Sequence, residues 1–377
     1  INRIKIDLHP RPRVNLTRTN PPAQIAGSHL QPVLHVVPYP NVIGTVATQA
    51  RMDNPPATAI FTLMTFDSDI LIVGGGLNGP ALALALGDTG LTVTLVDSLP
   101  VAQMENPQFD GRSYALALTS ARLLEGIGVW EDLSDHAQPM LDIKVTDGRV
   151  GEGPSLFFMH FDHAEIEEGP MGYMVEDRHL RPALIEAVGK ADIAQIDGRR
   201  VVAQSPGPAG IDVTLDDGTT ISARVLIGCD GRMSGVAKRA GISHMRWSYE
   251  QTALVCAIEH KKPHEGVAHQ FFMPPGPLAI LPLKGNRASI VWTEETARAE
   301  EIQAMDDAGY LEVLRPRFGD FLGDIGLAGA RYTYPLGLSF AHRFVADRVA
   351  LLGDAAHAMH PIAGQGLNAG LKDVAAL

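Results

Sequence analysis

Cysteine is nearly absent. The 377 residues contain two, Cys229 and Cys256, each inside an apolar run and neither in a CxxC pair. A disulfide framework and a cysteine-built zinc site are thereby disfavoured, and a reducing cytoplasm is the expected compartment. Surplus positive charge is also missing: 31 Lys and Arg against 43 Asp and Glu leave a net charge of −12, which disfavours a nucleic-acid partner. Unbroken hydrophobic runs of membrane-spanning length are lacking too. The most apolar window, DILIVGGGLNGPALALALG, is interrupted by glycines, Asn78 and Pro80. It reads as a buried strand–turn–helix, and a soluble protein is expected. No signal peptide is visible. What the composition supplies is 45% apolar and 20% charged residues, enough for a real core in one large domain or two ordinary ones.

Residues 1–63 differ from the rest of the chain. They hold nine of the 26 prolines, with pairs at Pro21-Pro22 and Pro55-Pro56, and six Lys or Arg against two Asp. The remaining residues carry 25 basic and 41 acidic side chains. No periodicity persists in the segment, the chain does not begin with Met, and MTFDSDILIVGGG at Met64 reads as a natural start. The segment is expected to be a disordered extension, or sequence translated from upstream of the true start. An Arg-rich targeting peptide is the rival reading, weakened by few serines and many prolines.

FDSDILIVGGGLNGPALALALGDTGLTVTLVDS (66–98) carries the first chemistry. An apolar strand at 69–73 leads into Gly74, Gly76 and Gly79 in G-x-G-x-x-G spacing. A helix follows, then a strand at 91–96 that ends at Asp97, 18 residues beyond Gly79. Gly74 permits the tight turn, Gly76 lets backbone approach a pyrophosphate, and Gly79 lets helix and strand pack closely. The helix start supplies N–H groups and a positive dipole end to phosphates. An acid at the second strand's end suits ribose hydroxyls. An ordinary βαβ turn is the blander reading. The motif alone leaves NAD and FAD open. Pro80 is tolerated in a first helical turn.

Two later stretches repeat strand, turn and helix: ARVLIGCDGRMSGVAKRAGI (223–242), turning at Asp230-Gly231, and DRVALLGDAAHAMHPIAGQGLNAGLKDVAAL (347–377), turning at Gly353-Asp354. Either Asp alone reads as a helix cap. Their order, with a glycine loop after the second, carries more. The run HPIAGQGLNAGLKD (360–373) fits the signature HP-[LIV]-[AG]-GQG-x-N-x-G-xx-D at every position. In it, and in DGRSYALALTSARLLEGIGVW (110–130) and GPLAILPLKGNRASIVWT (276–293), the chain resembles the single-component FAD-dependent aromatic hydroxylases of the para-hydroxybenzoate hydroxylase fold. Within them it is similar to the ubiquinone-biosynthesis hydroxylases. The resemblance covers about residues 66–377.

That resemblance implies an α/β fold: an FAD-binding Rossmann-like domain with an interleaved antiparallel-sheet substrate domain. FAD-binding parts fall at about 66–140, 172–245 and 340–377, and substrate-sheet parts at about 141–171 and 246–339. Asp354, after Gly353, is expected on the ribityl chain of FAD. The loop Pro361, Gly364, Gln365, Gly366, Leu367 and Asn368 is expected beside the isoalloxazine, with backbone N–H groups near its N1–C2=O edge. Arg112 matches an arginine contact to FAD, and Asp230 with Gly231 a motif near the pyrophosphate that is also implicated in using NAD(P)H. GYMVEDRHLRPAL (172–184) reads as a strand entering a helix close to the flavin, and Asp177 within it, where related enzymes often carry Asn or Arg, has an open role. His357 and His360 fall inside the flavin signature, so no metal site is expected. Lys372 and Asp373 read as a helix-surface pair, and RPRFGDFLGD as a helix end and loop.

Between the motifs, runs at 211–215, 253–258, 278–283 and 288–292 read as strands separated by Pro and Gly. In the resembling family such a sheet walls the substrate cavity, which makes Phe271, Phe272, Met273, Leu281, Pro282 and Trp292 candidate lining residues, with plain core packing as the blander reading. The resemblance implies that NAD(P)H reduces FAD and that reduced flavin captures O2 as a C4a-hydroperoxide. This adduct hydroxylates the ring of a polyprenylated phenol, so no side chain is assigned an acid–base role. The implied setting is cytoplasmic, with peripheral contact at the inner membrane or membership of a multienzyme complex. Rival readings are a hydroxylase of a soluble aromatic acid, an FAD-dependent reductase of related fold, and a cofactor-less scaffold subunit. Relatives continue beyond the last helix, so a C-terminally incomplete chain is expected.

Overall fold

The computed structural model describes residues 65–104, 111–166 and 168–377, and the expectation for residues 1–63 lies outside them. Three sheets organise the described residues. In the first, Ser68–Val73 runs between Val93–Val96 and Thr220–Gly228, parallel to both. Ala194–Ile196 and Val349–Leu351 add parallel strands beyond these neighbours. Its central strand reads as an unbroken apolar run because both faces are covered. Ile72 packs with Leu82, Leu95, Leu180 and Leu371, under the helices Asn78–Gly87, Asp177–Lys190 and Gln365–Ala376. Leu71 and Val73 face the other way, toward Val213, Leu226 and Val236. Each fully buried aliphatic side chain contributes about 1.5–3 kcal/mol. Thr220–Gly228 is long enough to pair twice, antiparallel to Ile211–Leu215 at its start and parallel to Val349–Leu351 at its end.

The second sheet has nine strands. Its centre is antiparallel as expected: His244–His260 lies between Arg287–Glu295 and Tyr332–Ala341. One pair departs from the expectation, since Val267–Met273 runs parallel to Asp142–Arg149. These strands come from distant stretches of chain, so no hairpin forces their direction. Helices Thr296–Gln303 and Asp307–Phe318 supply Ala299, Ile302, Tyr310 and Leu314 to the core on one face of this sheet.

In a third sheet the expected strand Gly172–Glu176 lies between Ser113–Ala117 and Gln138–Met140, antiparallel to both, a pairing the sequence does not announce. This sheet joins the other two. Ser113 Oγ donates to Ser289 Oγ at 2.9 Å, Arg287 reaches Glu176 at 2.9 Å, and Ala115 and Ala117 meet the last helix through Asn368. Among the described residues no helix is long and apolar enough to cross a membrane.

Candidate functional site

Two kinds of glycine occupy the first loop. Gly74 sits at φ +116°, and a Cβ there would collide with the Cys229 carbonyl; a Cβ on Gly79 would strike the carbonyl oxygen of Gly74. Both are required by the chain's own packing. A Cβ on Gly76 meets nothing within 4 Å. The protein itself does not demand glycine there, and the open space borders a helix start with no side-chain cap and no acid in its first turn. Bare backbone beside uncapped N–H groups fits a pyrophosphate.

Asp97 is held by the loop it serves: Oδ2 accepts from Gly75 N–H, and Oδ1 from Leu99 N–H at 2.7 Å. Each oxygen keeps a lone pair for a further donor. Beside it opens a small, mostly apolar cleft lined by Pro80, Leu95, Met104, Ile185 and Ile196.

The second segment reaches the same loop. Cys229 N–H donates to Val73 O at 2.7 Å, placing Asp230 and Gly231 next to Gly74. The Asp230 carboxylate is already committed, accepting from Ser234 Oγ and from Val236 N–H at 3.0 Å, and so fixes the start of the helix Gly235–Arg239. Gly231, at φ +78°, faces open space.

The third segment is locked on by a residue that the sequence alone does not single out as functional. The Asn78 side chain fills the room left by Gly353 and Gly370, where any Cβ would overlap its amide. Asn78 thus joins the glycine loop to the last helix. Asp354 follows Gly353. Its carboxylate has no hydrogen-bond or ion-pair partner among the described residues. Desolvation by the surrounding protein raises its pKa, while Arg232 and His357 pull it down. Asp354 is nonetheless exposed, so this carboxylate stands open to hydroxyl donors.

The glycine loop then turns on two left-handed residues, Ala363 (φ +55°) and Gly364 (φ +61°), with Gly364 pressed against Ala115. The helix Gln365–Ala376 starts there with no side-chain cap, and Gly366 in its first turn faces open space. Gln365 Nε2 donates back to Ala363 O, and Leu367 packs on the core under the first sheet. Asn368, 2% exposed, uses its whole amide on the chain: Oδ1 accepts from Ala117 N–H and Ser120 Oγ, and Nδ2 donates to Ala115 O and Gly364 O. Its side chain braces the loop and has no donor left for a ligand. The loop's free donors are backbone N–H groups.

Asp373 corrects an expectation. It is not a surface partner of Lys372, because adjacent helix residues point to different sides. Asp373 Oδ2 accepts from Gly353 N–H at 2.9 Å and lies 2.7 Å from His357 Nε2, tying the last helix to the Gly353-Asp354 turn. The Asp373 carboxylate raises the pKa of His357 against the opposing effect of burial. Burial alone lowers that of His360.

Arg112 lies 3.2 Å from Asp177, which also receives Tyr114 and Arg181. Of the cavity candidates, Leu281 shares a face of the broad sheet with Met140, Met174 and Ala115, next to the strand that supports the glycine loop. Phe272 falls on that face by alternation, at the other end of its strand, and is 42% exposed. Phe271, Met273 and Trp292 face the helices instead, and alternation places Pro282 with them. Trp292 is 1% exposed, donates from Nε1 to Glu294, and lies under the Arg317 guanidinium. Elsewhere, Asp142, Asp162 and His163 bring ligand atoms within 4.8 Å of one another, with Asp142 already bonded to His160 and Asp162 to Ala164 N–H.

Comparison with known proteins shows the family. The family model described as FAD binding domain matches residues 67–377. The chain is 45% identical to the ubiquinone hydroxylase UbiL of Rhodospirillum rubrum over 82% of this chain and 71% of that protein. It is 34% identical to 3-demethoxyubiquinol 3-hydroxylase of Escherichia coli over 82% and 78%. The structure of PqsL from Pseudomonas aeruginosa shares the fold with a TM-score of 0.69 at 24% identity, covering 82% of this chain and 84% of that one.

Proposed function

The chain belongs to the FAD binding domain family and is an FAD-dependent monooxygenase, and from that premise we propose that it hydroxylates the aromatic ring of a polyprenylated phenol in ubiquinone biosynthesis, using NAD(P)H and O2. The observation that carries the cofactor side is the meeting of three distant segments in which Gly76, Gly231 and Gly366 each face open space. The relatives' names support the substrate side.

The residues present fit FAD. Gly76 and the uncapped start of Asn78–Gly87 would receive the pyrophosphate, and Asp97 the adenosine ribose. Asp354 would accept from the ribityl hydroxyls, and the first-turn N–H groups of Gln365–Ala376 would face the ring system. When bound, the flavin supplies the redox and oxygen chemistry. The chain's own part is placement. Ala363 and Gly364 bend the loop into the helix N-terminus, whose dipole would favour negative charge on a ring held there. Asn368 braces that loop, and Asp373 ties its helix to the Gly353-Asp354 turn. Leu281 offers an apolar wall beside it. No acid–base side chain is assigned. A prenyl-tailed substrate partitions into bilayers, which supports delivery at a membrane surface or within a multienzyme complex.

The test is spectral and kinetic. The purified full chain should be yellow and should oxidise NAD(P)H faster when a prenylated phenol and O2 are both present, with hydroxylated product formed. A colourless protein that takes up no flavin sinks the cofactor reading. Preference for a soluble aromatic acid, or turnover indifferent to O2, replaces the substrate reading with the hydroxylase or reductase alternative.

A further inference from the structure

We propose, resting on the flavin reading above, that Asp177 is a positioning residue for the cofactor: its buried carboxylate holds the Arg112 guanidinium where the cradle needs it. Asp177 opens the helix Asp177–Lys190 directly after the strand Gly172–Glu176, and is 4% exposed. A buried carboxylate requires partners. Tyr114 Oη donates to Oδ1 at 2.7 Å. Arg181 grips both oxygens, Nε to Oδ2 at 2.9 Å and an Nη to Oδ1 at 3.0 Å. Arg112 places an Nη 3.2 Å from Oδ2, and the backbone adds a bond from Asp177 N–H to Arg112 O at 3.0 Å.

The three partners differ in what they can still do. Arg181, 12% exposed in its side chain, serves as the fixed counter-charge. Tyr114 sets the rotation of the carboxylate. Arg112 is 42% exposed, anchored by Asp177 yet reaching the surface. It begins the strand Ser113–Ala117, whose Ala115 and Ala117 hold the Asn368 amide of the glycine loop. Arg112 and that loop therefore share one rigid support. A guanidinium pinned in advance by a charge-assisted bond loses less freedom when it meets a ligand than an unpinned one.

The experiment is a double-mutant cycle on the holoenzyme. FAD release on dilution, read as recovered flavin fluorescence, gives a dissociation constant for wild type, Arg112→Ala, Asp177→Asn, Tyr114→Phe and each of the last two combined with Arg112→Ala. Thermal stability is measured in parallel. Arg112→Ala is expected to weaken FAD about 10-fold or more. Asp177→Asn should weaken it about tenfold in the wild-type background but by less than about twofold once Arg112 is gone. Tyr114→Phe should show the same pattern at smaller amplitude, and carries the comparison if Asp177→Asn does not fold. A loss of the same factor with and without Arg112 is the signature of a merely structural residue and overturns the proposal. An unchanged FAD affinity in Arg112→Ala removes Arg112 from the cofactor site, and the proposal falls with it by a different and separable result.

Discussion

The carboxylate of Asp373 lies 2.9 Å from the backbone N–H of Gly353, across twenty residues of chain. The same oxygen meets His357 Nε2 at 2.7 Å. One side chain on the last helix thus fixes both the turn that presents Asp354 and the start of the segment leading to the glycine loop. Its effect on His357 has a sign. The folded-state pKa of His357 is raised, so protonated His357 stabilises the fold fully below about pH 6.5 and ceases to do so as pH rises through the raised value. Denaturant titrations across that window should show wild-type stability falling relative to His357→Gln as pH increases. Parallel curves for the two proteins would remove the pair from the stability of the loop.

Gly76→Ala and Gly79→Ala should part company. The first adds a methyl to empty space and should leave the fold within about 1 kcal/mol of wild type, while weakening FAD tenfold or more. The second drives a methyl into the Gly74 carbonyl and should lower the melting temperature before any question of flavin arises. Thermal melts of the apoproteins beside FAD titrations distinguish the two.

Asn368→Ala removes four hydrogen bonds from a buried position and leaves Ala117 N–H and Ala115 C=O without partners there. A loss of about 2–4 kcal/mol is expected by urea denaturation, with FAD affinity falling because the loop is released. Restoring the side-chain volume with Leu should not rescue it.

Trp292→Phe should cost about 1–3 kcal/mol, since Glu294 loses a donor and Arg317 a ring face. The KM for the phenol should stay unchanged. Leu281→Ala should do the reverse, raising KM and the peroxide yield with a smaller effect on folding. Equal effects of the two on KM would put the substrate on both faces of the broad sheet.

Legibility of the fold in the residues is a matter of range. The strand–turn–helix around Gly74, Gly76 and Gly79 is readable because each glycine's role is set within a few residues. The stretch from Gly172 into the helix at Asp177 is readable for the same reason. The face on which Trp292 lies is not, because it depends on a cross-strand register with Leu278 that alternation alone leaves ambiguous. Asp373 looks like one half of a surface pair because its partners, Gly353 and His357, are joined to it only by folding. Asn78 looks like an interruption in an apolar helix until Gly353 and Gly370 close around it. The parallel pairing of Val267–Met273 with Asp142–Arg149 carries no local signal at all.

The interleaving of the sheets also sets a timetable. Ser68–Val73 leaves the ribosome long before one of its neighbours, Thr220–Gly228, and the helix that seals the cradle closes only at Ala376. A nascent chain therefore carries an unpaired β-edge until that neighbour emerges. The cradle is complete only once the helix Gln365–Ala376 has been made, so chaperone supply in that interval bears on the yield of holoenzyme.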